Sequence, residues 1–239
     1  MKVSLIIPMY NESLIAEDAV RTFSEYMTSA FEDFELIFVD DGSTDTCSEP
    51  VLAASEKDGR IRLVRYTPNH GKGYAVRAGV AAAEGDYIAF TDCDNAYGTE
   101  AVGRLFAALE ESGADIVVGS RNLSKDGYDG YTFIRKLASK TYLRFIGVMA
   151  GFRLSDSQCG IKGFRRDAAK KIFRNCEVDR FAFDLEVLMI GKKLGCTTAE
   201  MPVKIINHRE STVNLVKDAT RMIRDVQKMK KRIKHQEIV

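Results

Sequence analysis

The sequence predicts an α/β fold with a mostly parallel central sheet and helices on both faces, and three observations carry that prediction. Short apolar runs recur through the first half of the chain, each run closes on a polar or glycine-containing turn, and the segments between them space their apolar residues as helices do. Strands apolar on both faces and joined by helix-length connections imply crossovers, which leave functional loops at the carboxyl ends of the strands.

The elements follow in order. Val3–Met9 is the first run; it closes on Tyr10-Asn11-Glu12, and 14–26 has helical spacing. The second run, 34–39, closes on Asp40-Asp41-Gly42-Ser43-Thr44-Asp45. The third, Ile61–Tyr66, leads into Asn69-His70-Gly71-Lys72-Gly73 and a helical pattern over 74–83. The fourth, 87–91, closes on Asp92-Cys93-Asp94 before a helix over 101–109, and 116–118 is the fifth. Past Arg121 the rhythm breaks: 124–130 is rich in Gly, Asp and Tyr, and 133–152 is a long helical pattern. Then 155–160 reads as a loop, 161–164 as a strand, 183–194 as a helix, 198–206 as a last strand and 213–234 as a terminal helix.

A chain of 239 residues, 45% hydrophobic and 29% charged, buries a sizeable core as one large domain, and 18 Gly with 4 Pro exclude a collagen-like or low-complexity polymer. No apolar stretch approaches the roughly 18 residues that cross a bilayer, and the opening Met1–Pro8 segment is too short for a signal peptide, which places the chain in the cytoplasm. Cys47, Cys93, Cys159, Cys176 and Cys196 are odd in number, widely spaced and without a C-x-x-C pair, so they read as reduced thiols. The net charge of +1 is unevenly spread: residues 1–120 hold 9 Lys/Arg and 21 Asp/Glu, residues 121–239 hold 26 and 13. Either the second half meets something anionic, or two oppositely charged halves neutralise each other across a shared core. Nothing points to a nucleic-acid partner.

Three strand ends carry chemistry. Asp92 and Asp94, at i and i+2 in a turn after a buried run, can gather around a hard divalent cation, Mg²⁺ or Mn²⁺, that binds substrate phosphates. Asp40 and Asp41 can accept hydrogen bonds from a base or ribose, while Gly42 allows a tight turn, Ser43 or Thr44 can cap the next helix, and Asp45 complements a helix N-terminus. The 69–73 glycine-rich segment, with Lys72, suits anion binding at a helix start, but it lacks the G-x-x-x-x-G-K-[ST] spacing of a phosphate loop.

Pro8-Met9-Tyr10-Asn11-Glu12, Asp40-Asp41-Gly42-Ser43, Asn69-x-Gly71-Lys72-Gly73 and Asp92-x-Asp94, in that order and spacing, resemble the inverting glycosyltransferases of family 2, which have the GT-A fold. Asp156-Ser157-Gln158-Cys159-Gly160-Ile161-Lys162-Gly163-Phe164 and Phe181-Ala182-Phe183-Asp184-Leu185-Glu186-Val187-Leu188 are similar to stretches of dolichyl-phosphate glucosyltransferases and, less closely, dolichyl-phosphate mannose synthases. The resemblance implies a GT-A domain over 1–212, with a nucleotide-sugar-binding half (1–120) and an acceptor half (121–212), followed by a basic amphipathic helix over 213–239. It implies that Pro8, Tyr10, Glu12, Val39 and Asp41 line the nucleoside with Cys93 nearby, that Lys72 serves the donor, and that Asp92 and Asp94 hold the metal. Arg121, Arg135, Ser139 and Arg209 fall where mannose synthases meet the donor diphosphate and the acceptor phosphate, and arginine forks suit both. Mannose synthases also have a glutamine two residues past the second aspartate; Ala96 stands there, which leaves Asn95 or a water to complete the shell.

The implied reaction is a single displacement that moves a hexose from a nucleotide-sugar of the UDP-glucose or GDP-mannose type to a polyprenyl phosphate, with Asp94, Arg121, Arg135 and Asp156 as the catalytic set. A hydroxyl acceptor, as in extension of a soluble or protein-bound glycan, would need a carboxylate base, for which Asp156 and Asp184 are the candidates. A non-catalytic nucleotide-binding module is the rival from another class. Many relatives of this kind carry C-terminal transmembrane helices; here the 133–152 and terminal segments, apolar residues interleaved with Lys and Arg, are the candidates for lying on the cytoplasmic face of an anionic membrane. Docking on the domain and helical homodimerisation fit the terminal helix as well.

Overall fold

The computed structural model describes residues 1–127, 146–152, 154–180, 182–207 and 215–237, with side chains of the last segment described from 223 onward. The described strands are β1 (Val3–Met9), β2 (Phe34–Asp41), β3 (Ile61–Tyr66), β4 (Tyr87–Phe90), β5 (Ile116–Ser120), β6 (Lys162–Arg165) and β7 (Thr198–Pro202). They form one sheet in the order β3-β2-β1-β4-β6-β5-β7. Every pairing is parallel except those of β6, which runs antiparallel between β4 and β5.

Period-two alternation assigns each strand's side chains to the two faces. Leu5, Ile7 and Met9 of β1 and Leu36 and Phe38 of β2 enter one core with Ala19, Phe23 and Met27 of α1 (Ser13–Ala30) and Val102, Leu105 and Phe106 of α4 (Thr99–Ser112). Their neighbours Ile6, Ile37 and Val39 enter the opposite core with Val76 and Val80 of α3 (Lys72–Ala82), Ile172 and Phe173 of α5 (Arg166–Arg174) and Leu185 and Ile190 of α6 (Phe183–Lys193). The predicted α/β class and the coverage of both faces hold. The pattern reading did not contain α5 or the short α2 (Glu49–Ser55), β2 runs on through Asp40 and Asp41, and β7 stops at Pro202 rather than 206.

At the amino ends of the strands Glu35 is buried, and it accepts hydrogen bonds from Ser4 Oγ at 2.6 Å, Arg62 at 2.8 Å, Gly85 N at 3.1 Å and Glu84 N. Burial alone would raise its pKa, but the hydrogen bonds from Ser4 and Glu84, with Lys2 and Arg62, outweigh burial and hold it below the ordinary glutamate value. A depressed carboxylate stabilises the fold above its unfolded-state pKa and loses that contribution as pH falls through the folded-state value. Glu35→Gln is therefore expected to cost about 1–3 kcal/mol at neutral pH in urea titration, with the gap to the wild type closing as pH drops below the glutamate range.

The last helix, α7 (Leu215–His235), docks on the domain: Val226, Met229 and Ile233 lie in the core of α3, α5 and α6. Lys193 donates to the carbonyls of Ile233 at 2.5 Å and Gln236 at 2.6 Å, and Gln236 donates to the Asn175 carbonyl at 3.0 Å. From 223 onward the apolar stripe is thus spent on the domain. Of the 133–152 segment, residues 146–150 are helical, with Ile146 buried and Val148 70% exposed, and 133–145 lie outside the described residues. Among the described residues no helix is long and apolar enough to cross a membrane.

Candidate active site

The carboxyl ends of β1, β2 and β4 meet in one acidic rim, as the parallel topology requires. Two loops are laced across it. Asn11, with a φ of +53°, donates its main-chain N–H to Ser43 Oγ at 2.9 Å and accepts from Thr44 N at 2.8 Å, and Asp45 accepts from Ser13 N at 2.9 Å at the start of α1. Ser43 therefore does not cap the helix that follows it, and Asp45 serves the N-terminus of α1.

The adjacent aspartates of β2 point to opposite faces and do different work. Asp40 is fully buried, bound by Ser43 N at 2.8 Å, Ser48 Oγ at 2.5 Å and Arg65 at 3.0 Å. Asp41 accepts from Asn69 Nδ2 at 2.7 Å, His70 N at 2.9 Å and Gly71 N at 2.7 Å. The amides expected to bind an anion are thus given to a carboxylate of this chain. Farther on, Gly73 N and Tyr74 N donate to the Asp179 carbonyl at 2.7 and 3.2 Å, so protein groups take these two amides of the first turn of α3. Val39 packs in the core with no exposure, whereas Tyr10 is 47% exposed on the rim. Pro8 is part-buried one residue before the end of β1, and Glu12 is part-buried just beyond it. Cys93 is buried between the two aspartates of its loop, and burial, with Glu12 and Asp94 nearby, pushes its thiol far above the ordinary value.

Lys72 reaches across from α3 and its ammonium contacts Asp92. Burial would lower its pKa, but Asp92 and Asp184 outweigh burial and raise it, so it stays a cation. Behind it stands a second pair: Lys162, with no exposure, contacts Asp184 and donates to the Cys159 carbonyl at 2.7 Å. Burial raises the Asp184 pKa while Lys162 and Lys72 oppose the rise, and Asp92, Lys72, Asp184 and Lys162 alternate in sign from the rim into the core.

Asp94 Oδ1 accepts from Ala96 N at 3.1 Å, and its carbonyl accepts from Asn207 Nδ2 at 2.7 Å. Asp156 is fully buried and takes the Arg121 fork, Nε to Oδ2 at 2.6 Å and Nη2 to Oδ1 at 3.0 Å. Arg121 spends its fork on Asp156, and Asp156 is an anchor of the 155–160 loop whose oxygens are occupied, a poor arrangement for a general base. Glu200 holds the same loop from β7, accepting from Ser155 N at 2.8 Å and Ser155 Oγ at 2.6 Å. Arg135, Ser139 and Arg209 lie outside the described residues.

The loop so held brings Gly160 against Asp92 of the metal-candidate pair. A Cβ at Gly160 would lie 2.1 Å from Asp92 Oδ2, and Gly160 N donates to Tyr97 Oη at 3.0 Å. Gly160, Tyr97, Asn207 and Glu200 were not foreseen as parts of the site, since each acts through contacts made across the fold. Only Gly160 lay within a stretch already singled out.

The model of the family Glycosyl transferase family 2 matches residues 4–173, which include Asp40, Asp41, Lys72, Asp92, Asp94, Arg121, Asp156 and Gly160. The chain belongs to glycosyl transferase family 2. Relatives of this family member include a dolichyl-phosphate beta-glucosyltransferase of Dictyostelium discoideum, 29% identical over 236 residues that cover 94% of this chain and 72% of the relative. The proteins of the same name in Drosophila melanogaster and Homo sapiens are 32% and 30% identical, covering 85% and 84% of this chain and 67% and 66% of the relatives. The family 2 chain thus spans about two thirds to three quarters of the length of these relatives. Among solved structures, glucosyl-3-phosphoglycerate synthase from Mycobacterium tuberculosis in complex with Mn²⁺, UDP and glucosyl-3-phosphoglycerate superposes with a TM-score of 0.69 at 19% identity, covering 99% of this chain and 81% of that one. The complex of the same synthase with Mg²⁺ and UDP also gives 0.69, at 20% identity and 99% and 80% coverage. At that identity the likeness establishes the fold, which is the GT-A fold expected from the sequence.

Proposed function

We propose that this family 2 enzyme transfers glucose from UDP-glucose to dolichyl phosphate, or to another polyprenyl phosphate, with inversion at the anomeric carbon. The observation that carries the reading is the shared name of relatives that match this chain over most of its length. The rim supports it with a D-x-D pair at the end of β4.

The donor set fits a divalent metal of the Mg²⁺ or Mn²⁺ kind. Asp92 and Asp94 are hard oxygen ligands in the turn after β4. Such a site leaves coordination positions for diphosphate oxygens and water, and a metal there supplies neutralisation of the departing diphosphate. Tyr10 and Glu12 on the rim are assigned to the nucleoside by this reading, Asp41 shapes the loop that would flank it, and Lys72 adds a positive charge beside Asp92. An oxygen of the acceptor phosphate forms the new bond to the anomeric carbon as the bond to the diphosphate breaks. That oxygen is already anionic at neutral pH, so positioning and charge neutralisation suffice and a general base is unnecessary. This agrees with a site whose two candidate bases, Asp156 and Asp184, are held by Arg121 and Lys162. The same observation weighs against a hydroxyl acceptor on a soluble glycan.

Incubation with labelled UDP-glucose and GDP-mannose, each with polyprenyl phosphate or a free glycan, tests the reading. Glucosyl transfer to the lipid phosphate is expected, with Arg135→Ala weakening use of the lipid phosphate more than donor binding. Transfer to the free glycan alone sinks the lipid reading, and nucleotide binding without transfer favours a non-catalytic module. A polyprenyl chain costs about 0.8 kcal/mol for each methylene exposed to water, so the enzyme must work at the headgroups, on the cytoplasmic face by this reading. Binding to vesicles is expected to rise with anionic lipid and to fall with salt. Indifference to anionic vesicles at low salt would rule out attachment through the protein's own surface.

A further inference from the structure

We propose that α7 is a positioning element for the donor site, acting through Arg232, Glu186 and the 177–179 loop on the start of α3. The inference rests on the reading of the D-x-D rim as the donor site. Glu186 has no exposure, and its carboxylate accepts the main-chain N–H of Glu177 at 3.0 and 3.1 Å and that of Val178 at 2.8 Å. One buried side chain therefore fixes the path of the loop. Arg232 of α7 contacts Glu186 and pairs with Glu177 at 2.9 Å, so the terminal helix neutralises the carboxylate that holds the loop.

The loop is coupled to α3 by contact as well as by hydrogen bonds. Asp179 gives its carbonyl to Gly73 N and Tyr74 N, and its carboxylate pairs with Arg77 of α3 at 2.5 Å. A Cβ at Gly73 would lie 2.4 Å from the Val178 carbonyl oxygen, and one at Gly71 would lie 2.6 Å from that of Asp179. With no slack between the two backbones, a shift of 177–179 must shift the residues from Gly71 to Gly73. Lys72 lies between them and carries the ammonium that meets Asp92.

A purely structural role is the competing explanation, and α7 has other anchors. Val226, Met229 and Ile233 are buried, and Lys193 and Gln236 hold the end of the helix, so the docking of α7 does not depend on Arg232 alone.

The test uses the full chain with Arg232→Ala, Arg232→Lys and, as a control that loosens the end of α7 without touching the latch, Gln236→Ala. Three quantities are read: exchange of the Gly73 and Tyr74 amides, KM for UDP-glucose against KM for polyprenyl phosphate, and the melting temperature. In Arg232→Ala the two amides are expected to exchange about tenfold faster and the UDP-glucose KM to rise several-fold, with the acceptor KM unchanged. Arg232→Lys keeps a cation for Glu186 but loses the fork, so it is expected to change both in the same direction by less, and it serves alone should the alanine variant not fold. Unchanged amides in Arg232→Lys and Arg232→Ala, an equal rise of both KM values, or the same donor effect in Gln236→Ala overturns the proposal. Faster amides with an unchanged UDP-glucose KM overturn the positioning role and leave the donor reading standing. Absence of UDP-glucose turnover by the wild type overturns the donor reading, and the inference with it, whatever the amides do.

Discussion

Asp94→Ala is expected to lower kcat by about a thousandfold while leaving the fold intact. The magnitude follows from what a carboxylate at this place would do: a metal clamp contributes several kcal/mol of charge stabilisation to a leaving diphosphate, and a few kcal/mol is a factor of about a thousand. The fold should survive because Asp94 is a part-buried loop residue whose Oδ1 accepts from Ala96 N at 3.1 Å within its own turn. Losing such a bond costs about 1 kcal/mol. The carbonyl that Asn207 grips belongs to the main chain and remains. Turnover assays and thermal melts of the variant check both halves, and excess chelator should reproduce the loss in the wild type. Full activity in the variant, or in chelator, removes the metal from the mechanism.

The part of this molecule that could be read in the sequence is the part determined locally. Apolar runs bounded by Tyr10-Asn11-Glu12, Asp40-Asp41 and Asp92-Cys93-Asp94 announce strands and the loops at their carboxyl ends, because strand period and turn chemistry are short-range properties. The reversal of β6 was not legible: Lys162–Arg165 looks like any other short strand, and its antiparallel place between β4 and β5 depends on pairing with strands distant in the chain. The site divides the same way. The D-x-D pair and the two candidate bases could be named from residue type and place, but their assignment depends on partners distant in the chain. Asp156 becomes an anchor because Arg121 comes back to it, Asp184 because Lys162 faces it in the core, and the start of α3 is closed by a carbonyl from residue 179. A helix start rich in glycine looks the same in sequence whether its amides meet a phosphate or the protein itself.

Gly160→Ala is expected to reduce kcat/KM about a hundredfold with little change in stability, and the reasoning turns on which atoms would yield. The added Cβ would stand 2.1 Å from Asp92 Oδ2 and 3.0 Å from its Cγ, far inside van der Waals contact. Either the loop or the carboxylate must move. The loop is tied down at several points: Asp156 is gripped by the Arg121 fork, Ser155 by Glu200, and Gly160 N by Tyr97 Oη. Asp92 is a partly exposed side chain free to rotate about its own bonds, and its ammonium partner Lys72 is long and flexible. The carboxylate is therefore expected to swing aside, taking Lys72 with it and spoiling the pair that faces the donor. A displacement of about 1 Å at such a centre costs about a hundredfold in rate. Because the backbone stays in place, the free energy of unfolding should change by about 0.5 kcal/mol or less. The measurement is kcat/KM for UDP-glucose beside a urea titration of the same preparation. Wild-type turnover in Gly160→Ala would show that the position of Asp92 is immaterial to transfer, and a large loss of stability would show that the loop, rather than the carboxylate, gives way.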